Sequence, residues 1–198
     1  MVFAGPDKGR VIELGILHDC RFELVAGNLA TVEADVAVAA LCAQHPVRHL
    51  GSGVEALDRA LRGAILRLRI EGVFTGAWGE TLYLSSLPST IKAKGVIMLG
   101  LGPTGRKTTA KVRRAFMIAA SQAIRLGAGH ATFAPAQLCT GLPRLNAEAN
   151  AHAVLRGIAE ALVRMRGGLR RCSFVAPEPE LDAAGEKFAL AFRRIVEH

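Results

Sequence analysis

Two uninterrupted apolar runs restrict what this chain can fold into. One reads Asp35-Val36-Ala37-Val38-Ala39-Ala40-Leu41, entered from a charge and left at Gln44-His45-Pro46; the other reads Gly95-Val96-Ile97-Met98-Leu99-Gly100. A strand with one wet face alternates apolar and polar residues, whereas a strand apolar at every position needs cover on both faces, as in a parallel sheet between helices. Residues 11–17 and 22–25 flank the polar His18-Asp19-Cys20-Arg21 and read as a hairpin, and 81–84, 131–134 and 172–175 read as further short strands. Between them the period changes to that of a helix. Val54, Leu57, Leu61, Ile65 and Leu68 predict one helix ending near Glu71-Gly72, and 107–126 a basic helix burying Val112, Phe116, Ala119, Ala123 and Ile124. A third carries Ala153, Val154, Ile158, Ala161, Leu162 and Met165, and a last one buries Phe188, Ala191, Phe192 and Ile195. Strands alternating with helices predict an α/β fold with a mixed, largely parallel sheet, the hairpin supplying the opposed direction at one side.

The 198 residues contain no internal repeat, low-complexity tract or linker, so a single domain spanning 1–198 is expected, with a core that needs neither disulfide nor metal. Aromatics make up only 5%, and Ala and Gly supply much of the apolar fraction, which predicts close helix–sheet packing. The opening Met-Val-Phe-Ala-Gly-Pro has no basic start and no long apolar run, so a cytoplasmic location and no membrane partner are expected. Cys20, Cys42, Cys139 and Cys172 show no metal-ligand spacing and read as small buried hydrophobes in a reducing compartment. The formal charge of +8 suits phosphorylated ligands or nucleic acid, but the basic groups Lys107, Lys111, Arg113, Arg114 and Arg164, Arg166, Arg170, Arg171 lack interleaved aromatics. Solvated helix faces account for most of that charge.

Three glycine-bearing segments follow predicted strand ends: 51–53, 100–105 and 139–142. In open α/β sheets ligands bind at that edge. Gly51-Ser52-Gly53-Val54 runs straight into the helical rhythm, a junction where flexible backbone meets unpaired helical N–H groups and suits an anion. Gly100-Leu101-Gly102-Pro103-Thr104-Gly105 has the wrong register for a dinucleotide turn, and Gly102 to Thr108 is one residue short of a P-loop. No Asp/Glu/His cluster has the spacing of a dinuclear metal site, so neither metal nor cofactor is expected.

Gly72-Val73-Phe74-Thr75-Gly76-Ala77-Trp78-Gly79-Glu80-Thr81-Leu82, preceded by Leu57-Asp58-Arg59-Ala60-Leu61 and followed by Lys92-Ala93-Lys94-Gly95-Val96-Ile97-Met98-Leu99-Gly100-Leu101-Gly102, resembles the N-terminal domain of the leucine (cytosol) aminopeptidase family, peptidase family M17. The resemblance implies a three-layer α/β/α macro-domain-like fold. Gly27-Asn28-Leu29-Ala30-Thr31 before the strand Asp35-Val36-Ala37-Val38 is similar to the macro-domain entry segment. Gly51, Ser52, Gly53 and Val54 are similar to its first phosphate loop, and Cys139, Thr140, Gly141 and Leu142 to its second. Asn28 stands where that fold carries an adenine-contacting Asp, and Ala39 and Cys42 stand where macro domains carry the asparagines of Asn-Ala-Ala-Asn. The aminopeptidase segment Asn-Thr-Asp-Ala-Glu-Gly-Arg-Leu, which belongs to a separate catalytic domain, is absent from the 198 residues.

The expected function is therefore that of a non-peptidase binding module that takes ADP-ribose or another phosphorylated nucleotide in the two glycine loops, with no catalytic residue assigned. Around the first loop, His45 and His49 are candidate phosphate contacts, Cys42 a candidate thiol, and Asp58 and Arg59 either helix-surface charges or loop braces. Trp78, the sole tryptophan, is expected to anchor the core or a turn. Rival readings are a homo-oligomerising or regulatory partner of a separately encoded aminopeptidase catalytic unit, and a nucleic-acid-binding protein.

Overall fold

The computed structural model describes residues 9–43, 52–103, 108–134, 147–166 and 168–197. Its strands are β1 (Val11–Leu17), β2 (Cys20–Ala26), β3 (Ala34–Ala43), β4 (Thr81–Leu84), β5 (Ala93–Pro103), β6 (His130–Phe133) and β7 (Arg171–Ala176). Helices α1 (Ser52–Ala60), α2 (Ala64–Ile70), α3 (Thr109–Arg125), α4 (Ala147–Arg164) and α5 (Leu181–Val196) fill the connections, with a 3-10 turn at Glu178–Glu180. The strands form one seven-stranded sheet in the order β1-β2-β7-β6-β3-β5-β4. β2, β7, β6, β3 and β5 run parallel. β1 closes one side antiparallel to β2, and β4 closes the other antiparallel to β5. Opposed strands at both sides, where the hairpin alone predicted one, follow from the connection between β4 and β5: residues 85–92 form a turn without a helix, so the two strands pair head to tail.

The two apolar runs became neighbours. β3 and β5 pair in one register from Ala34 to Leu41, which then shifts before Ala43 meets Pro103, and the strand residues point alternately into two cores. Val36, Val38, Ile97 and Leu99 face α3, α4 and α5, while Ala37, Ala39, Leu41, Val96 and Met98 face α1 and α2. Aromatic mass is concentrated in the first core, where Phe22, Phe116, Phe133, Phe174, Phe188 and Phe192 touch ring to ring. The opposite core holds smaller side chains around Phe74. Close packing is literal at Gly157 of α4, where a Cβ would run into the Arg113 carbonyl oxygen of α3.

The single helix predicted from Val54 to Glu71 is broken in two. Arg62 and Gly63 adopt positive φ (54° and 78°), ending α1, and the buried Asp58 carboxylate accepts from the Ile65 and Leu66 N–H groups at 2.8 and 3.2 Å. Asp58 is therefore a loop brace that caps α2 from inside the molecule. The apolar rhythm survives the break because Val54, Leu57, Leu61 and Ile65 all rest on the same sheet face. The basic helix begins at Thr109, its first turn capped by Thr108, whose hydroxyl accepts from Lys111 N.

Gly100 and Gly102, placed in a loop by their sequence, lie inside β5. A Cβ at Gly100 would collide with the Ala77 carbonyl oxygen, and the pair of bonds Gly79 N to Gly100 O and Gly100 N to Glu80 O holds residues 76–80 against the strand. Trp78 belongs to that turn and is 37% exposed, so it anchors a turn rather than the core.

At the other end of the sheet, where β6 and β7 begin, a polar network crosses three strands. Ser173 Oγ donates to Glu23 Oε1 at 2.7 Å, His130 Nε2 lies 2.7 Å from Ser173 Oγ, and Arg171 Nε sits 3.6 Å from the same Glu23 oxygen. Because the one Ser173 hydroxyl proton goes to Glu23, His130 Nε2 is the donor in its bond. Asp35 is held by Lys94 and by the Gly129 and His130 N–H groups, and the Lys94 bond keeps its carboxyl below the usual carboxylate range.

Three outcomes follow from these contacts. Gly100→Ala is expected to cost about 3 kcal/mol or more, because backbone must move, whereas Gly72→Ala, at φ 73° with open space around it, costs about 1 kcal/mol; urea midpoints separate the two. Asp58→Ala removes an internal cap and is expected to cost about 1–2 kcal/mol, with Asp58→Asn milder because an amide oxygen still accepts. Burial, and next the Arg171 charge, push the His130 imidazole below its ordinary value of 6.5. The folded state thus binds fewer protons than the unfolded chain, and this contribution to stability is present above pH 6.5 and lost as pH falls through the lowered pKa. Melting temperatures should decline on that acid limb, and His130→Gln, which still donates to Ser173, should flatten it.

Candidate functional site

Because β2, β7, β6, β3 and β5 are parallel, their carboxyl ends lie on one edge. β3 ends at Ala43 and the next described residue is Ser52 of α1; β6 ends at Phe133, and the description resumes at Ala147 of α4. α1 runs away from this edge: its last carbonyl, Ala60 O, accepts from Thr90 Oγ1 beside the start of β5. The unpaired N–H groups of its first turn are therefore turned toward the carboxyl edge. Ser52 and Gly53 open that turn, and the wholly buried Val54 side chain locks it onto the second core, so what Val54 can present is its backbone N–H.

The described rim of the edge is built from residues 69–80 against the ends of β3 and β5. Glu80 accepts from Thr75 N, Thr75 Oγ1 and Ala77 N at 2.8–3.0 Å. Those bonds hold its carboxyl below the usual range against the opposing effect of burial. Gly76 passes so close to Cys42 and Ala43 that a Cβ would sit 3.0 Å from their backbone, and Gly76 O accepts from Gly102 N. Arg69, at the end of α2, donates from Nη2 to Cys42 O at 2.6 Å. The glycines of the sequence motif 72–82 thus serve backbone-to-backbone approach, and Glu80 is a loop clamp.

Asn28 follows β2 at the same edge and is half-buried. Its Oδ1 accepts from Ala30 N at 2.9 Å, and its backbone N donates to Thr31 Oγ1 at 3.2 Å, so the side chain builds the turn that carries the chain over the sheet to β3. The side-chain oxygen is thus already in use, and among the described residues no bond of this turn engages Asn28 Nδ2. Gly51, Cys139, Thr140, Gly141 and Leu142, with His45 and His49, lie outside the described residues. Ala39 is buried in the second core, and Cys42 is half-buried with its carbonyl taken by Arg69.

Two groupings escaped sequence reading because they join distant strands. Ser173, His130 and Glu23 bring a hydroxyl, an imidazole and a carboxylate together, but the serine is wholly buried and gives its proton to the acid, so it is no nucleophile. The trio also sits at the amino ends of β6 and β7, away from the carboxyl edge. Cys20 and Cys172, 152 residues apart, place their sulfurs 3.5 Å from one another, both fully buried, and burial pushes the Cys172 thiol well up, away from the reactive thiolate. Among the described residues no group of His, Cys, Asp and Glu could hold a metal ion, and no helix is long and apolar enough to cross a membrane.

The fold and the sequence have counterparts. The Oceanobacillus iheyensis macrodomain with ADP superposes with a TM-score of 0.68 at 14% identity, over 95% of this chain and 97% of that one. The Trypanosoma brucei macrodomain in complex with ADP-ribose gives 0.65 at 19% identity, over 85% of this chain and 68% of that one. A probable cytosol aminopeptidase of Nitrosococcus oceani is 33% identical over 86 residues, 43% of this chain but only 17% of the relative. The family model for the N-terminal domain of the cytosol aminopeptidase family matches residues 44–166, more than half of the chain. On a macrodomain-like α/β/α fold, the chain belongs to the cytosol aminopeptidase family through that family's N-terminal domain.

Proposed function

We propose that this domain is a nucleotide-binding module that takes ADP-ribose or a related phosphorylated nucleotide at the carboxyl edge of the sheet, and that it does not hydrolyse peptides. The observation that carries the reading is the convergence of β3 and β6 on that edge with the first turn of α1 facing it. Both strands lead there into the glycine-bearing segments of the sequence, 51–54 and 139–142. Macrodomains that share this fold bind ADP and ADP-ribose. In this reading the backbone N–H groups of Gly51, Ser52, Gly53 and Val54 receive one phosphate, and those of Cys139, Thr140, Gly141 and Leu142 the other. Such donors are indifferent to the side chains lost at Ala39 and Cys42. Asn28, its Oδ1 already taken by Ala30 N, offers the base an N–H donor in place of a carboxylate, so in this reading it meets an acceptor ring nitrogen of adenine rather than the amino group.

A second reading has one observation in its favour. Ile70, Val73, Trp78 and Tyr83 are large apolar residues exposed along the rim and the edge strand β4, a surface suited to a protein partner such as an aminopeptidase catalytic unit.

Titration calorimetry of the full chain against ADP-ribose, ADP and a nucleotide panel tests the first reading. A micromolar to millimolar dissociation constant for ADP-ribose is expected, weakened about tenfold or more by Gly53→Glu, which sets a carboxylate at the helix N-terminus. Absence of binding at millimolar ligand, together with a stable co-purifying complex, would leave the partner reading in its place.

A further inference from the structure

Arg69 is 4% exposed, yet no carboxylate among the described residues lies within ion-pair distance of it. Its Nη2 donates to Cys42 O, and its Nε is buried with no hydrogen-bond partner among the described residues. Of the groups whose charge acts on it, Cys42 comes before Glu80, and the Glu80 carboxylate is spent on Thr75 and Ala77. Burial accordingly drives the guanidinium pKa down from its ordinary value. A buried arginine is almost always paired, because an uncompensated charge out of water costs several kcal/mol. Bracing the Cys42 carbonyl does not account for it, since a neutral amide would donate there without that cost.

The position of this unpaired charge is what gives it a use. Cys42 is the next-to-last residue of β3, so the guanidinium sits at the root of the strand that leads toward α1, on the carboxyl edge of the sheet. We propose that Arg69 is the fixed positive charge of the nucleotide site, selecting the diphosphate over uncharged parts of the ligand. This rests on the nucleotide-binding reading. Backbone N–H groups and a helix N-terminus supply only partial charges, whereas a full charge in a water-poor setting acts over several ångströms. It is already desolvated and held by Cys42, so an arriving anion finds it in place and its burial cost is partly recovered on binding. Arg69 is thus a positioning residue, with no direct ligand contact required.

The test compares wild type with Arg69→Gln and Arg69→Lys in the full chain, by calorimetry against ADP-ribose and inorganic pyrophosphate, with thermal melts as the check on folding. Both substitutes can donate to Cys42 O, but only lysine keeps the charge. Arg69→Gln is expected to weaken both ligands about tenfold or more, and Arg69→Lys to stay within about threefold of wild type. Equal losses in the two variants would reduce Arg69 to a strut, and unchanged binding in a folded Arg69→Gln would remove it from the site; either overturns the inference while nucleotide binding stands. If Arg69→Gln does not fold, Arg69→Lys decides, since a folded lysine variant that loses pyrophosphate also overturns it. Wild type that binds pyrophosphate but not ADP-ribose, with the same ranking of variants, supports the charge and overturns the nucleotide reading. Wild type that binds neither overturns both.

Discussion

The pairing of β3 with β5 is the constraint from which the rest of the molecule follows. Both strands are apolar on both sides, so neither sheet face can be left to water, and helices must lie above and below. Parallel partners cannot be joined by tight turns; each return needs a crossover, and the crossovers are those same helices. Once β2, β7, β6, β3 and β5 point one way, every strand exit lands on one edge. The edge proposed to take the ligand is in this sense a by-product of burying two hydrophobic strands.

What fills the layers then decides how near the site can be built. The aromatic core under α3, α4 and α5 is thick, while the core under α1 and α2 is made of alanine, valine and leucine around one phenylalanine. Small side chains let the segment 76–80 lie directly on β5 and beside the end of β3, backbone against backbone. That contact closes the carboxyl edge on the β5 side and leaves Arg69 enclosed next to Cys42. The two ends of the sheet have consequently been put to different uses. Charges at the amino end are paired across strands, as in Glu23 with Arg171 and Asp35 with Lys94, whereas the carboxyl end keeps a cation with no acid against it among the described residues.

Much of this was legible along the chain, because local pattern reports local burial. The hairpin 11–25, the strand cores at 36–41 and 96–99 and the buried faces of α3 and α5 stand where their apolar periods put them. The break between α1 and α2 was not legible, since Leu57, Leu61 and Ile65 keep a helical spacing across it; the only local mark was Gly63, and its meaning depends on Asp58 reaching forward to Ile65 and Leu66. Likewise Gly100 and Gly102 look like loop residues until Ala77 and Trp78 are seen lying on them.

By itself the amino-acid sequence determined the α/β class, the identity of most elements and the family motif at 72–82, because these depend on hydrophobic period and on residues near one another in the chain. Only the tertiary structure decided which strand lies beside which, that both edge strands run antiparallel, and that β3 and β6 end side by side on one edge. It also decided the standing of single residues. Asp58 and Arg69 are both charged positions on a helical stretch of sequence, and nothing in that pattern separates them from solvated surface. They differ from their neighbours because the fold removes water from both and gives the carboxylate two N–H partners, while the guanidinium receives one carbonyl and, among the described residues, no ion-paired acid.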